Sequence, residues 1–158
     1  MLEVRSLAAV ETTLREHGFF AGDAVGVVAD VYLGYGLSTE LRRRPGSPPP
    51  EPCRLPPAAV RIRPEGDDAL DSGGFSIGEW QHTWSPAEHA AAVEAVREAI
   101  ARGDVYQVNL VQHLSAPFRG DPTALAARLA PLQPLHGRPF VGDGWAIISA
   151  SPEVFLAR

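Results

Sequence analysis

The 158-residue sequence has a formal net charge of -5, with 45% hydrophobic and 21% charged residues. This composition is typical of a soluble globular protein with one domain, and the net negative charge gives no electrostatic footprint for nucleic acid binding. No run is long enough to cross a membrane and no signal-like pattern stands at the N-terminus, while the single cysteine, Cys53, cannot form an internal disulfide. We therefore expect a cytoplasmic protein with no membrane association.

The N-terminal half predicts one helix, several strands and two loops. Apolar residues recur at helical spacing from Ser6 to His17, and a stretch rich in valine, tyrosine and glycine follows from Asp23. Proline, glycine and charged residues then indicate loops on either side of an alternating, strand-like segment. The predicted elements are a helix at 6–17, one or two strands at 24–36, a Pro- and Arg-rich loop at about 42–57, a strand at 58–63 and an acidic, Gly-rich loop at about 65–78.

A helix start is predicted at Ser85-Pro86-Ala87-Glu88. Ser85 can cap the helix, Pro86 suits the first turn because no hydrogen-bond donor is lost there, and Glu88 completes a capping box. One face of the predicted helix carries His89, Val93, Val96 and Ile100, and Gly103 ends the pattern. The helix should therefore span residues 85–102.

The remaining sequence predicts two strands and one short helix. Alternating residues favour a strand from about Val105 to Leu114, and Asp121-Pro122 should begin a helix that runs through Leu129. A final strand is predicted over Trp145-Ala146-Ile147-Ile148-Ser149. The mixture of strands, helices and long loops favours an α+β fold over regular βαβ units.

Two segments carry a family resemblance. They read Gly-Asp-Val-Tyr-Gln-Val-Asn-Leu at 103–110 and Ser-Ala-Ser-Pro-Glu-Val-Phe-Leu at 149–156. They resemble the G-D-[IV]-Y-Q-V-N-L and S-x-S-P-E-x-F-L motifs of the chorismate-utilising enzymes of the anthranilate synthase component I family, and within it the aminodeoxychorismate synthases. The resemblance spans about residues 23–158 and is specific over 85–114 and 145–156. It implies that residues 1–158 form a single, partial domain, the N-terminal and incomplete part of a two-layered α/β sandwich.

The resemblance also implies an activity. The intact enzyme would convert chorismate and ammonia to 4-amino-4-deoxychorismate, in the 4-aminobenzoate branch of folate synthesis. It would use Mg²⁺, with ammonia supplied by a glutamine amidotransferase subunit or domain. Asn109 favours this reading, because anthranilate synthases more often carry valine at that motif position. The alternatives are an anthranilate synthase component I-like enzyme of tryptophan biosynthesis, or a non-catalytic binding remnant of the family.

The family motifs assign roles to four residues. Glu153 matches the glutamate that serves as proton donor, a group that the chemistry needs because hydroxide is a poor leaving group. Periodicity alone is equally consistent with side chains of Gln107 and Asn109 that face solvent and with side chains that face the interior. The resemblance implies that they lie near the substrate cavity. Buried amides there would need hydrogen-bond partners. We interpret Gln107, Asn109 and Ser151 as supporting residues that do not react themselves.

Several family features are missing. All 14 basic residues are arginine, so the nucleophilic lysine of the family is absent, and arginine cannot replace it because it stays protonated. The family's lysine and Mg²⁺ ligands lie beyond the Ser-Pro-Glu motif, so we expect no metal site here and no complete reaction by this chain alone. His113 stands where arginine is usual and has no assigned role. Of the family's tryptophan-pocket residues, only Pro134 matches.

Overall fold

The computed structural model describes residues 1–41, 53–66, 73–135 and 137–153, and these form an α+β fold, as the sequence predicts. Most of the predicted 42–57 loop, residues 67–72 of the acidic loop and the end of the Ser-Pro-Glu motif at 154–156 lie outside the described residues. The chain divides into two compact units. The first unit comprises Met1–Gly73 and Asp121–Arg158, and the second comprises Gly74–Gly120.

The elements are short, apart from the second helix. In chain order, the described residues form β1 (Leu2–Val4), α1 (Leu7–Glu16), β2 (Val27–Leu33), β3 (Ala58–Pro64), β4 (Phe75–Ile77), β5 (Gln81–His82), α2 (Pro86–Arg102), β6 (Leu114–Ser115), β7 (Phe118–Gly120), α3 (Pro122–Leu129), β8 (Phe140–Gly142) and β9 (Trp145–Ile147), with 3₁₀ turns at Tyr35–Glu40 and Ala130–Leu132.

The first unit is built on an antiparallel sheet with the order β1-β3-β2. Because side chains alternate along a strand, the central strand β3 sends Ala58, Val60 and Ile62 to one face and Ala59, Arg61 and Arg63 to the other. The apolar face packs against α1, and the core consists of Val4, Val10, Leu37, Ala58 and Val60. The sheet is therefore apolar towards the helix and polar on its opposite face.

Local signals explain where α1 lies. The Ser6 hydroxyl accepts a hydrogen bond from the Ala9 backbone N–H at 3.2 Å, which caps the first turn. The helix ends before Gly18, as predicted, and Val10 and Thr13 are buried where it meets the sheet. A helix of this length gains most of its stability from such packing.

The second unit contains α2 and two short antiparallel pairs, β4 with β7 and β5 with β6. The predicted capping box is confirmed: the Ser85 N–H and hydroxyl both donate to the Glu88 carboxylate at 2.8 Å, and the Ser85 hydroxyl accepts from the Glu88 N–H at 3.3 Å. Gly103 ends the helix in a left-handed conformation. None of the side chains of residues 74–120, all of which are described, is buried.

The prediction of a strand from Val105 to Leu114 is wrong over most of its length. Residues 105–113 have no regular secondary structure, and only Leu114–Ser115 forms a strand. Alternation of apolar and polar residues is not sufficient, because a strand also needs a neighbour for its backbone groups, and no described strand pairs with 105–113. Tyr106 is 91% exposed as a result.

Smaller differences concern boundaries. The last strand ends at Ile147 and not at Ser149, and a strand at Phe75–Ile77 occupies the end of the predicted 65–78 loop. The helix predicted from Asp121 is confirmed as α3, with the Asp121 carboxylate accepting from the Thr123 N–H at 2.8 Å. None of the helices in the described ranges is both long and apolar enough to cross a membrane.

Candidate functional site

The Ser-x-Ser-Pro-Glu segment leaves the end of β9 and is attached to the segment that contains Pro134. The Leu135 N–H donates to the Ser151 carbonyl oxygen at 3.0 Å, and the Ser151 N–H donates to the Ser149 hydroxyl at 3.2 Å. The structure therefore brings together Ser151 and the half-buried Pro134, two residues that the sequence selected for separate reasons. A backbone bond of this kind fixes the direction in which the chain approaches Glu153.

Glu153 is exposed on the first unit. Its carboxylate has no hydrogen bond or ion pair with any described residue. Its position is therefore set by the backbone of the preceding segment. The role of proton donor stays a prediction of the family motif.

Gln107 and Asn109 lie in the irregular segment of the second unit. Both side chains are exposed, and the hydrogen bond from Gln107 Nε2 to Asn109 Oδ1 is long at 3.5 Å. Exposure is the alternative that periodicity left open, and the role that the resemblance implies for these amides stays a prediction. The His113 carbonyl oxygen accepts from the N–H and the hydroxyl of Thr83, at 3.1 and 2.8 Å, so this residue contributes through its backbone.

A charged cluster that the sequence did not reveal lies on the polar face of the first unit's sheet. Asp30 stands directly opposite Arg61 in the β2–β3 register. The Asp30 carboxylate accepts from Arg61 at 2.7 and 2.9 Å and from Arg63 at 2.9 Å, and all three side chains are at most 18% exposed. Burial would raise the pKa of Asp30, but the hydrogen bonds and positive charges of Arg63 and Arg61 outweigh it and hold this pKa below its ordinary value.

The hairpin formed by β8 and β9 packs beside this cluster. Arg61 Nη1 donates to the Pro139 carbonyl oxygen at 2.8 Å, and its guanidinium lies 4.8 Å from the centre of the Phe140 ring. The Phe140 ring is stacked with the Trp145 indole at a centroid distance of 6.3 Å. Aromatic stacking and a cation over the ring together hold the hairpin against the sheet.

Trp145 also connects the hairpin to β1. Its indole Nε1–H donates to the Glu3 carboxylate at 2.7 Å. The indole lies so close to the backbone of Gly142 that a Cβ there would overlap the ring. Glycine is therefore required at position 142 for the tryptophan to adopt this position.

Next to Trp145 the first unit contains a cavity of about 660 Å³. It lies where β1 ends and β3 begins, and the turn between β8 and β9 closes one side. Its lining residues are Glu3, Val4, Arg5, Arg54, Leu55, Pro56, Pro57, Asp143, Gly144 and Trp145. No sequence pattern predicts this cavity, because its walls come from three segments that are far apart along the chain.

The described residues do not provide a set of ligands for a metal ion. No group of three or more His, Cys, Asp or Glu side chains comes together among them in a way that could hold one. The Mg²⁺ that the family resemblance implies stays an expectation about the complete enzyme.

Comparison with known proteins identifies the family. The sequence matches the chorismate binding enzyme family over residues 39–158. It is 31% identical to anthranilate synthase component 1 of Streptomyces coelicolor (strain ATCC BAA-471 / A3(2) / M145) over 125 residues, which cover 76% of this chain. The chain spans 22% of the length of that relative. No solved structure matches. The chain belongs to the chorismate binding enzyme family.

Proposed function

We propose that this chain is part of an enzyme that converts chorismate and ammonia to 4-amino-4-deoxychorismate. The observation that carries the proposal is the Ser-Ala-Ser-Pro-Glu segment ending at Glu153, in a chain that belongs to the chorismate binding enzyme family. The Asn109 motif supports the choice of this product. The hydrogen bond from Leu135 to Ser151 gives the segment a defined backbone path, as a catalytic segment requires.

The role proposed for Glu153 follows from the leaving group. Amination of chorismate removes a ring hydroxyl, and hydroxide is a poor leaving group unless a proton is delivered as the C–O bond breaks. A carboxylic acid at the position of Glu153 supplies that proton. Ammonia arrives from a glutamine amidotransferase partner, and Mg²⁺, when bound in the complete enzyme, neutralises negative charge on the substrate's carboxylates.

A second candidate is synthesis of anthranilate from the same substrate. The Streptomyces coelicolor relative is named an anthranilate synthase component, and it is 31% identical to this chain over 125 residues. Both reactions need a protonated leaving group, so Glu153 has the same role in each. Within this chain, the motif residue Asn109 is what favours the first candidate over the second.

The test is a chimera in which residues 1–158 are joined to the remaining part of a chorismate-binding enzyme of known activity. Glu153→Gln keeps the shape of the side chain but removes the transferable proton, so we expect the turnover rate to fall by about 10²–10⁴-fold with little change in chorismate binding. Glu16→Gln, at an exposed carboxylate of α1, is the matched control and should leave the rate unchanged.

Turnover decides between the two candidates. Two chimeras are compared, with the remaining part taken from an enzyme that makes 4-amino-4-deoxychorismate in one and from an enzyme that makes anthranilate in the other. Turnover by the first alone supports the proposal, and turnover by the second alone supports the alternative. Residues 1–158 alone should form neither product, because they contain no lysine for the covalent step that the family uses. A Glu153→Gln chimera with the parental rate would show that this carboxylate is not the proton donor.

A further inference from the structure

We propose that Arg61 is a positioning residue: it holds the β8–β9 hairpin against the sheet and thereby sets where the Ser-Pro-Glu segment places Glu153. The inference rests on the role proposed above for Glu153, and it concerns where this carboxylate is held. A proton donor has to lie within hydrogen-bonding distance of the leaving oxygen, so displacement of its backbone lowers the rate. None of the hydrogen bonds or ion pairs among the described residues involves the Glu153 side chain, so the preceding backbone has to provide its position.

The hairpin and the Ser-Pro-Glu segment form one closed loop. The Leu135 N–H donates to the Ser151 carbonyl oxygen at 3.0 Å, and the chain between these residues runs through the paired strands β8 and β9. A loop that is closed at its base and paired along its length moves as one piece. Pro152, whose φ is fixed by its ring, limits how far Glu153 can move relative to Ser151. The position of the hairpin on the sheet therefore determines the position of Glu153.

Arg61 attaches this loop to the central strand of the sheet. Its Nη1 donates to the Pro139 carbonyl oxygen at 2.8 Å, and its guanidinium lies 4.8 Å from the centre of the Phe140 ring. Both Pro139 and Phe140 are buried, so this charge-assisted hydrogen bond is shielded from water, which strengthens it. The hydrogen bond from Trp145 to the exposed Glu3 also attaches the hairpin, but solvent weakens it. Arg61 is therefore the stronger of these two attachments.

The guanidinium of Arg61 is itself held in a fixed orientation. Its Nε and Nη2 donate to the Asp30 carboxylate at 2.9 and 2.7 Å, and the side chain is only 18% exposed. The planar group therefore binds the carboxylate with two of its nitrogens and the hairpin with the third. Lysine keeps the positive charge but cannot make both contacts in this way, because it has a single nitrogen. Arg61→Lys thus separates the charge of residue 61 from its attachment to the hairpin.

The first test uses ¹H–¹⁵N spectra of the 158-residue chain and does not require activity. Arg61→Lys should shift the amide signals of Ser151 and Glu153 and speed hydrogen exchange of the Leu135 amide about 3- to 10-fold, because the loop loses a charge-assisted hydrogen bond. Phe140→Leu, which removes the ring beside the guanidinium and keeps an apolar side chain, should shift the same signals.

Arg15→Lys is the matched control for this test. Arg15 also pairs with a carboxylate and lies over an aromatic ring, but it belongs to α1, which packs on the opposite, apolar face of the sheet. The control should leave the signals of Ser151 and Glu153 unchanged. If these signals were also unchanged in folded Arg61→Lys and Phe140→Leu, the proposal would be overturned.

The second test is kinetic and uses the chimera that turns chorismate over. Arg61→Lys should lower kcat about tenfold or more and change KM for chorismate by less than about twofold, because a displaced proton donor affects bond breaking and not binding. In the Glu153→Gln background the same substitution should cause no further loss, since the group that Arg61 positions is already gone. An equal loss in both backgrounds would show that Arg61 has only a structural role and contradict the proposal. Failure of both chimeras would count against the proposed function alone, because the signals of Ser151 and Glu153 are measured without turnover.

Discussion

Asp30 shows how a single residue on a short strand connects distant parts of the first unit. It bonds two arginines of β3, and one of these, Arg61, continues to the Pro139 carbonyl oxygen and the Phe140 ring. One carboxylate thus neutralises part of the charge of two guanidinium groups that are largely withdrawn from water. A largely buried ion pair such as Asp30–Arg61 is strongly affected when one partner is removed, because the charge of the other partner loses its compensation.

We expect Asp30→Asn to destabilise the first unit by about 1–3 kcal/mol at pH 7, because the largely buried Arg61 guanidinium would lose the negative charge of its partner. Urea unfolding followed through the near-ultraviolet signal of the aromatic side chains measures the change. Glu11→Gln is the control, because it breaks an ion pair with Arg15 in which both side chains are more than half exposed. That variant should change the stability by less than about 0.5 kcal/mol.

The effect of Asp30 should depend on pH in a defined direction. The pKa of the folded-state carboxyl lies below its ordinary value of 3.8, so its contribution to stability is present above the unfolded-state pKa and is lost as the pH falls through the folded-state pKa. The stability difference between the parent and Asp30→Asn should therefore shrink in acid. A difference that stays constant between pH 7 and pH 3 would show that the loss reflects packing and not charge.

Residues of the candidate site were predicted to different degrees. Ser151 and Glu153 were selected from the motif alone and their roles stay predictions, while the structure shows a hydrogen bond between the Ser151 carbonyl oxygen and the Leu135 N–H, next to Pro134. The cluster around Asp30 was not predicted, although the alternation of Arg61 and Arg63 with apolar neighbours is visible in the sequence. Alternation indicates that two side chains share a face, but it does not indicate which strand lies opposite them.

At the scale of elements, the helix that depends on local sequence signals was predicted correctly, whereas the strand that depends on a distant partner was not. The start and end of α2 depend on groups within four residues of each other, so the sequence was sufficient to predict them. The segment 105–113 has an equally regular pattern but does not form a strand. Its backbone would need a partner from elsewhere in the chain, and the sequence pattern contains no information about that partner.

Ser85→Ala should weaken the first turn of α2, because it removes the acceptor for the Glu88 N–H and a donor to the Glu88 carboxylate. The usual cost of losing a serine cap is about 1 kcal/mol. Faster amide exchange at the start of the helix, with unchanged exchange near its C-terminus, is the expected result. Ser76→Ala, at an exposed position of β4, serves as the control.

The same substitution should change how Glu88 titrates. Hydrogen bonds from the backbone and hydroxyl of Ser85 lower the pKa of the Glu88 carboxyl below its ordinary value of 4.5. Loss of the hydroxyl should therefore raise this pKa towards 4.5. Because the lowered pKa stabilises the helix start above the unfolded-state pKa, this support is lost as the pH falls through the folded-state value. An unchanged carboxyl titration in Ser85→Ala would contradict the capping geometry.

At the scale of the whole chain, the fold class and the three helices were predicted, whereas the division into two units and the cavity were not. The α+β class follows from the order of local patterns. The cavity depends on β1 pairing with β3, in which Val4 lies opposite Ala58, and on a hairpin near the other end of the chain. Such contacts join residues separated by most of the sequence, so no local pattern contains them.

The two units differ in what stabilises them, and we expect their amide hydrogen exchange rates to differ as well. In the first unit, β3 is paired on both sides and sends Ala58 and Val60 into the buried core, so its amides should exchange slowly. The second unit has no buried side chain among residues 74–120, and its strand pairs are two or three residues long, which gives little stability of their own.

We therefore expect fast exchange throughout residues 74–120 of the dilute, monomeric chain, slowed only within α2, where the capping box and the left-handed Gly103 hold both helix ends. Raising the concentration should slow exchange around Tyr106 and Val111, because these exposed apolar side chains invite association that covers them. Sedimentation of the same samples reports the association independently. Equally slow exchange in both units at low concentration would mean that residues 74–120 have a source of stability other than burial of their own side chains.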